Sequence, residues 1–368
     1  MAQIDIQSSA ICLFLKGVGN SYLNNFPFFK VLDDAGSIQY EPLCDGVKNA
    51  LNAMEKPVTF TDSSGTGMVE HNLGLMFSVA YHKTLPLRRI LNKDQIDLKY
   101  SNKTEVDPVS AVFGNSTETL VNSLYAACMS NGSGGANDID GVLSAASPSP
   151  EKGTYQGVSG ENNPFWRNVA YNAKKQYAGT PFDGTPTTKS NIIERLNYVM
   201  ANNQFLGSAQ FQYLLLGQEY FTMVMNSLAD KTLIYAPLDK DIRIGYLVPQ
   251  LNNVVILNAG GFSTGNYQRF PGKYALFFDP SNFILFYDNP FKRGDKLQGL
   301  LNLDNVPDEF RIKSAKDIKS MFYVDMPLNS NGYGIFKNAD NLNQWTHIVW
   351  RGNLMCRDRR KLSLMFEA

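Results

Sequence analysis

Ser263 sits in Gly261-Phe262-Ser263-Thr264-Gly265, the spacing at which a sharp strand-to-helix turn presents a nucleophilic hydroxyl to an acyl substrate. An apolar run, Val254 to Leu257, precedes it, and aspartates and His347 follow in the order of a hydrolase triad. The context then fails. An elbow requires a helix after the second glycine, and Asn266-Tyr267-Gln268-Arg269-Phe270-Pro271-Gly272 puts proline and glycine where that helix has to run. The segment reads as a turn, and a serine hydrolase acting through Ser263 is kept as the minor alternative.

Phosphate chemistry finds less support. Gly17-Val18-Gly19 and Gly65-Thr66-Gly67 lack the third glycine of a dinucleotide fingerprint, and no G-x-x-x-x-G-K-[ST] loop occurs. His71, His82 and His347 are never four residues apart, the spacing that lets two imidazoles on one helix meet a metal. Asp138 and Asp140 lie in a Gly/Asn-rich stretch, where carboxylates ordinarily hydrogen-bond to a backbone turn. Cys12, Cys44, Cys128 and Cys356 are scattered, with neither a zinc-ribbon spacing nor a dithiol pair. The reading is therefore of a chain with no catalytic residue, no cofactor and no metal site.

The elements that would have to position any site are those of a large, aromatic-rich globular protein. Its 368 residues exceed the span of one hydrophobic core, so two packed modules are expected. With 43% hydrophobic residues, 23 Phe and 18 Tyr, the chain has enough apolar surface to offset the entropy of ordering. Basic and acidic residues balance at 34 each, which argues against a protein that binds DNA by neutralising phosphates. The short run Ile11 to Leu15 does not make a signal peptide, and no apolar run reaches a membrane span, so a cytoplasmic protein without a membrane partner is expected. On that reading the sequons at Asn102, Asn115 and Asn131 carry no glycan.

Along the chain, residues 1–40 alternate apolar clusters (Ile11 to Leu15, Phe26 to Val31) with Gly and Asn and suggest an arm. Val58 to Thr61 and the Gly-rich turn after it suggest a hairpin or extended loop within 45–100. Leu120, Val121, Leu124, Tyr125, Cys128 and Met129 share one helical face, behind a capping box at Asn115 and Glu118. Residues 132–164 are rich in Gly, Ser, Asn and Pro. A second amphipathic helix follows with Ile192, Ile193, Leu196, Val199 and Met200. Further on, the pattern predicts a buried strand at Phe211 to Leu216, a helix over 218–229 and strands at Val254 to Leu257, Tyr274 to Phe278, Phe283 to Tyr287, Met321 to Val324 and His347 to Trp350. This is an α/β or α+β pattern.

Two stretches carry a resemblance. One is Gly153-Thr154-Tyr155-Gln156-Gly157-Val158-Ser159 leading into Asn162-Asn163-Pro164-Phe165-Trp166-Arg167-Asn168. The other is Ile348-Val349-Trp350-Arg351-Gly352-Asn353-Leu354-Met355-Cys356-Arg357-Asp358-Arg359-Arg360. They resemble the major capsid proteins of tailed bacteriophages, in which a helix ending in an N-G turn precedes G-T-x-x-G-[IV]-[SD] and N-P-[FW]-W-R-N, and a W-x-G-N-L strand with a basic turn closes the chain. Residues 117–200 and 274–361 follow this order.

The resemblance implies the Johnson fold, the Hong Kong phage capsid type, an α+β architecture. On that pattern residues 1–44 are an N-terminal arm and 45–100 an extended β-hairpin loop. Residues 101–194 and 291–368 form a peripheral domain with a spine helix at about 117–131, and 195–290 an axial domain. It implies a subunit that assembles with itself into pentamers and hexamers, making a virion capsid in the host bacterial cytoplasm. Such a shell encloses double-stranded DNA without reading its sequence, and a neutral inner wall suits that. Residues 1–40 hold few charges and no charged helix, so the scaffolding function is expected from a separate protein, with a portal and a decoration protein as further implied partners. An encapsulin-like nanocompartment shell is the alternative within the same fold. Trp166, Arg167, Trp345 and Trp350 are the candidate inter-subunit anchors, and Arg351, Arg359 and Arg360 the candidate ion-pairing contacts. For the tryptophans, packing inside the subunit is an equally open reading.

Overall fold

The computed structural model describes residues 26–42, 46–51, 76–91, 119–132, 138–205, 211–229, 249–259, 270–288, 322–325, 335–337 and 344–367. The chain enters through helix α1 (Pro27–Asp34), where Pro27 pre-sets φ at the first turn, and Phe28, Phe29, Val31 and Leu32 are buried. Strand β1 (Ile38–Tyr40) follows, then the antiparallel ribbon of β2 (Val47–Leu51) and β3 (Met76–Ala80), and β4 (Lys83–Leu91). Helix α2 covers residues 119–128 and α3 is the single turn Val142–Ala145. Strands β5 (Thr154–Tyr155) and β6 (Val158–Ser159) flank Gln156 and Gly157, whose φ angles of 49° and 82° fit the two-residue mirror-image turn of tight hairpins. A 3₁₀ turn at Pro164–Trp166 leads to β7 (Val169–Asn172).

The second half begins with α4 (Ile192–Phe205), β8 (Tyr213–Leu216) and α5 (Gln218–Ala229). After β9 (Gln250–Leu251) come β10 (Val254–Asn258), β11 (Tyr274–Phe278) and β12 (Phe283–Asp288). The chain ends through β13 (Phe322–Asp325), β14 (Ile335–Lys337), the thirteen-residue β15 (Gln344–Cys356) and β16 (Ser363–Phe366).

Two six-stranded sheets result. The first is built around β15: β12 runs along 351–356, β13 along 347–350 and β14 along 344–346, while β4 pairs with 344–352 and β1 lies parallel to β12. The second has the order β7-β16-β11-β8-β10-β9 and mixes parallel pairs (β7 with β16, β8 with β10) with antiparallel ones. Its central strands are apolar without alternation because both faces are covered. Leu215, Leu257, Leu276 and Leu364 face a core shared with α1, α2, Trp166 and Trp350. Their neighbours Leu214, Leu216, Ile256, Phe277 and Met365 face a separate core under α4 and α5, supplied by Ile192, Leu196, Val199, Tyr220 and Val224. Each such side chain contributes about 1.5–3 kcal/mol of burial.

Three features differ from the sequence reading. Residues 26–40 are not an arm: α1 lies in the main core and β1 extends the first sheet. An eight-residue helix is too short to show a sustained period, so its amphipathic face is legible only from what covers it. Sheet membership also crosses the expected boundaries of the axial domain. Residues 283–288 pair in the first sheet, whereas 169–172 and 363–366 pair in the second. Finally, the extended-loop region divides: β2 and β3 form a ribbon, while β4 joins the first sheet.

Candidate inter-subunit site

The two motif-bearing stretches meet in space and bind one another. The Tyr155 hydroxyl accepts from the Cys356 backbone N at 3.0 Å and from Gln156 Nε2 at 3.0 Å, and the same Nε2 lies 3.3 Å from the Leu354 carbonyl oxygen. Arg359 donates through Nε to the Ala145 carbonyl at 2.7 Å and through Nη2 to Asn168 Oδ1 at 3.2 Å, and its guanidinium lies 5.2 Å from the Tyr155 ring centroid. Asn168 in turn accepts from Ser147 N and donates to Ser147 O. The cluster is dry. Burial pushes the Arg359 guanidinium below its usual range and the Cys356 thiol up to about 12.

The W-x-G-N-L strand is accounted for residue by residue. Trp350 is fully buried, and Arg351 approaches buried Asp288 across the strand pair at 3.7 Å. A Cβ at position 352 would strike the Phe286 carbonyl oxygen and the Trp350 ring, so only glycine lets β12 and β15 approach there. Asn353, also fully buried, uses its whole amide: Oδ1 accepts from Asp140 N and Leu354 N, and Nδ2 donates to Tyr81 O and Asp140 Oδ2.

These positions alter the expected contact set. Trp166 is 2% exposed, Trp350 0% and Arg359 3%, so all three are internal to the subunit and offer a neighbour no surface. Arg359 read as a surface residue because it stands in a basic run; acceptors 214 and 191 residues earlier draw it inside. Arg360 is partly exposed and bidentate on Asp358, with Nε to Oδ1 and Nη2 to Oδ2 both at 2.9 Å. Arg167 is half-buried and bonds to the Gly160 and Glu161 carbonyls. Arg351 keeps a partly exposed side chain. Trp345 lies on β15 opposite Ile90 and Phe336, and its side chain is outside the described residues, as is Ser263.

Sequence reasoning passed over the residues that do face outward. Among the described residues the exposed large apolar side chains are Phe77, 50% exposed, and Tyr81, 58% exposed, on and just after β3. Their signal was the two-residue alternation Phe77, Val79, Tyr81 along one face of a strand. Among the described residues there is no cluster of three metal-ligating side chains, and no helix long and apolar enough to cross a membrane.

No protein-family model matches the sequence, and neither does any curated protein. Solved structures do match. The chain is similar to the capsid protein of cyanophage A-1(L), at 13% identity, 91% coverage of this chain and 92% of that one, with a TM-score of 0.57. It is similar to the mature capsid protein of bacteriophage PhiM1 at 10% identity, coverages of 90% and 86%, and TM-score 0.50. The capsid of a native GTA particle gives 10%, coverages of 92% and 90%, and 0.50. The chain therefore has the α+β fold of phage capsid proteins over nearly its whole length.

Proposed function

We propose that this chain is a tailed-phage major capsid protein, a structural subunit that closes into pentamers and hexamers of an icosahedral head around double-stranded DNA. The observation that carries the reading is the shared fold, matched across both chains at about nine-tenths of their length. The motif stretches support it, because their residues lock the subunit together. Charge balance suits an inner wall that encloses DNA without gripping it. A closed shell needs heterologous contacts that close by rotation. We assign those contacts to the outward face of the β2–β3 ribbon, with Phe77 and Tyr81, and to the partly exposed Arg167, Arg351 and Arg360. Within the subunit, the first sheet with α2 serves as the peripheral domain and the second sheet with α4 and α5 as the axial domain. A separate scaffolding protein, a portal and a decoration protein complete the proposed set of partners, and assembly takes place in the host cytoplasm. The test is to express the chain with and without its phage's scaffolding protein and image the product. Closed shells support the reading, and a monomer under both conditions overturns it.

A further inference from the structure

One strand holds nearly all of the first sheet. Among the described residues β4, β13 and β14 pair with β15 alone, and β12 pairs with β15 and with the three-residue β1. Without β15, the parallel β1–β12 pair is what is left of the six strands. In the second sheet β16 stands between β7 and β11 and gives β7 its pairing, while β11, β8, β10 and β9 stay joined without it.

Residues 344–367 also carry side chains that close both cores. Trp350, Leu354, Cys356, Leu362, Leu364 and Phe366 lie in the core shared with α1 and α2, and Met365 lies in the core under α4 and α5. Their polar anchors come from far back in the chain: Arg359 donates to the Ala145 carbonyl and to Asn168, and Glu367 accepts from Thr187 N and Lys273 Nζ. The pairing of Gly352 with Lys83 spans most of the chain. Contacts of such sequence separation cannot reward folding until both ends exist. Nascent chains ordinarily fold from the N-terminal side first, and here the early strands β4 and β12 lack their partner.

We propose that residues 344–367 are a completion segment: during synthesis the first sheet, and the core it shares with α1 and α2, stay open until this segment has left the ribosome and docked. The consequence for assembly rests on the capsid reading. The contacts assigned to neighbouring subunits depend on the late sheet. The ribbon bearing Phe77 and Tyr81 packs through Val47 and Ala80 on Ile284, Phe286 and Met355, and through Leu51 and Met76 in the shared core. Arg351 and Arg360 belong to the segment itself. Association therefore waits for the segment, which keeps neighbouring nascent chains on one messenger from joining while their cores are open.

Cys128 reports on the shared core, where it is fully buried. The full chain is stalled on the ribosome ahead of a flexible linker, either short enough to hold 344–367 in the exit tunnel or long enough to expose it. A brief maleimide pulse with peptide mapping reads Cys128 apart from the other thiols, and the released protein sets the folded rate. Cys128 should label at the unfolded rate with the short linker and about tenfold or more slowly with the long one. Leu354→Asp, which puts a charge into the shared core, should restore fast labelling with the long linker, and Phe77→Ala on the exposed ribbon face should not. Equal protection with both linkers overturns the proposal, because the core then closes without the segment. Equally fast labelling with both overturns it too, because exposure of the segment is then not what closes the core. Ribosome-bound chains are single subunits, so a linker effect in a protein that forms no shells removes the capsid reading and leaves the completion segment standing.

Discussion

Replacing Arg359 with Ala removes two hydrogen bonds from a buried guanidinium, at 2.7 Å to Ala145 O and 3.2 Å to Asn168 Oδ1, together with its stacking on Tyr155. Asn168 keeps Ser147 N as a donor, so the group left stranded is the Ala145 carbonyl. Bonds from a charged donor contribute about 1.5–3 kcal/mol each, and a stranded buried acceptor costs about 1–3 kcal/mol. Opposing this is the cost of burying the cation, which also pushes the Arg359 pKa below its usual range. The net expectation is a loss of about 3 kcal/mol, roughly a hundredfold in the folding equilibrium. Arg359→Lys retains charge but not the fork that reaches two acceptors, and falls between. Guanidinium unfolding of dispersed subunits, followed by tryptophan emission, measures it, since Trp166 and Trp350 lie in the same core. A midpoint shift for Arg359→Ala equivalent to less than about 0.5 kcal/mol, the scale of a neutral surface change, would refute the reasoning.

Trp166→Ala and Trp350→Ala should each cost about 3–5 kcal/mol of subunit stability by leaving a core cavity, and calorimetry should register it even where no assembly occurs. Phe77→Ala and Tyr81→Ala should do the reverse, leaving subunit stability within about 0.5 kcal/mol while raising the concentration needed for assembly in sedimentation velocity. For Glu367, burial pushes the carboxyl up, but hydrogen bonds from Lys273 Nζ and Thr187 N, with the Lys273 and Lys174 charges, outweigh it and hold the group below the ordinary glutamate range. A depressed carboxyl contributes stability above its unfolded pKa that is lost as pH falls through the folded one. Glu367→Gln should therefore be less stable than wild type near neutrality and lose less on acidification, as read from melting temperature against pH.

Much of the fold was legible because burial on both faces writes itself into composition. Tyr274 to Phe278 and Phe283 to Tyr287 are apolar without interruption and form central strands at those places. The helix carrying Ile192, Leu196 and Val199 was equally clear from its period. Strand β15 was seen only in part, at 347–350, because Arg351, Gly352 and Asn353 break the apolar run; they belong to the strand through backbone pairing with β12 and through partners 63 and 213 residues away. The candidate contacts were the hardest to place. A tryptophan or arginine in a motif carries no mark of whether its neighbours come from its own chain or another, and here Asn168, Ala145 and Tyr155 take up Arg359 from within.

Electron cryomicroscopy of particles formed by the expressed chain, alone and with its phage's scaffolding protein, tests the central claim most directly. The account predicts closed icosahedral shells of pentamers and hexamers, with the β2–β3 ribbon face of one subunit against another and Trp166, Trp350 and Arg359 internal to each. A chain that stays monomeric in every preparation, or shells whose subunits meet through Trp166 and Trp350 instead, would contradict it.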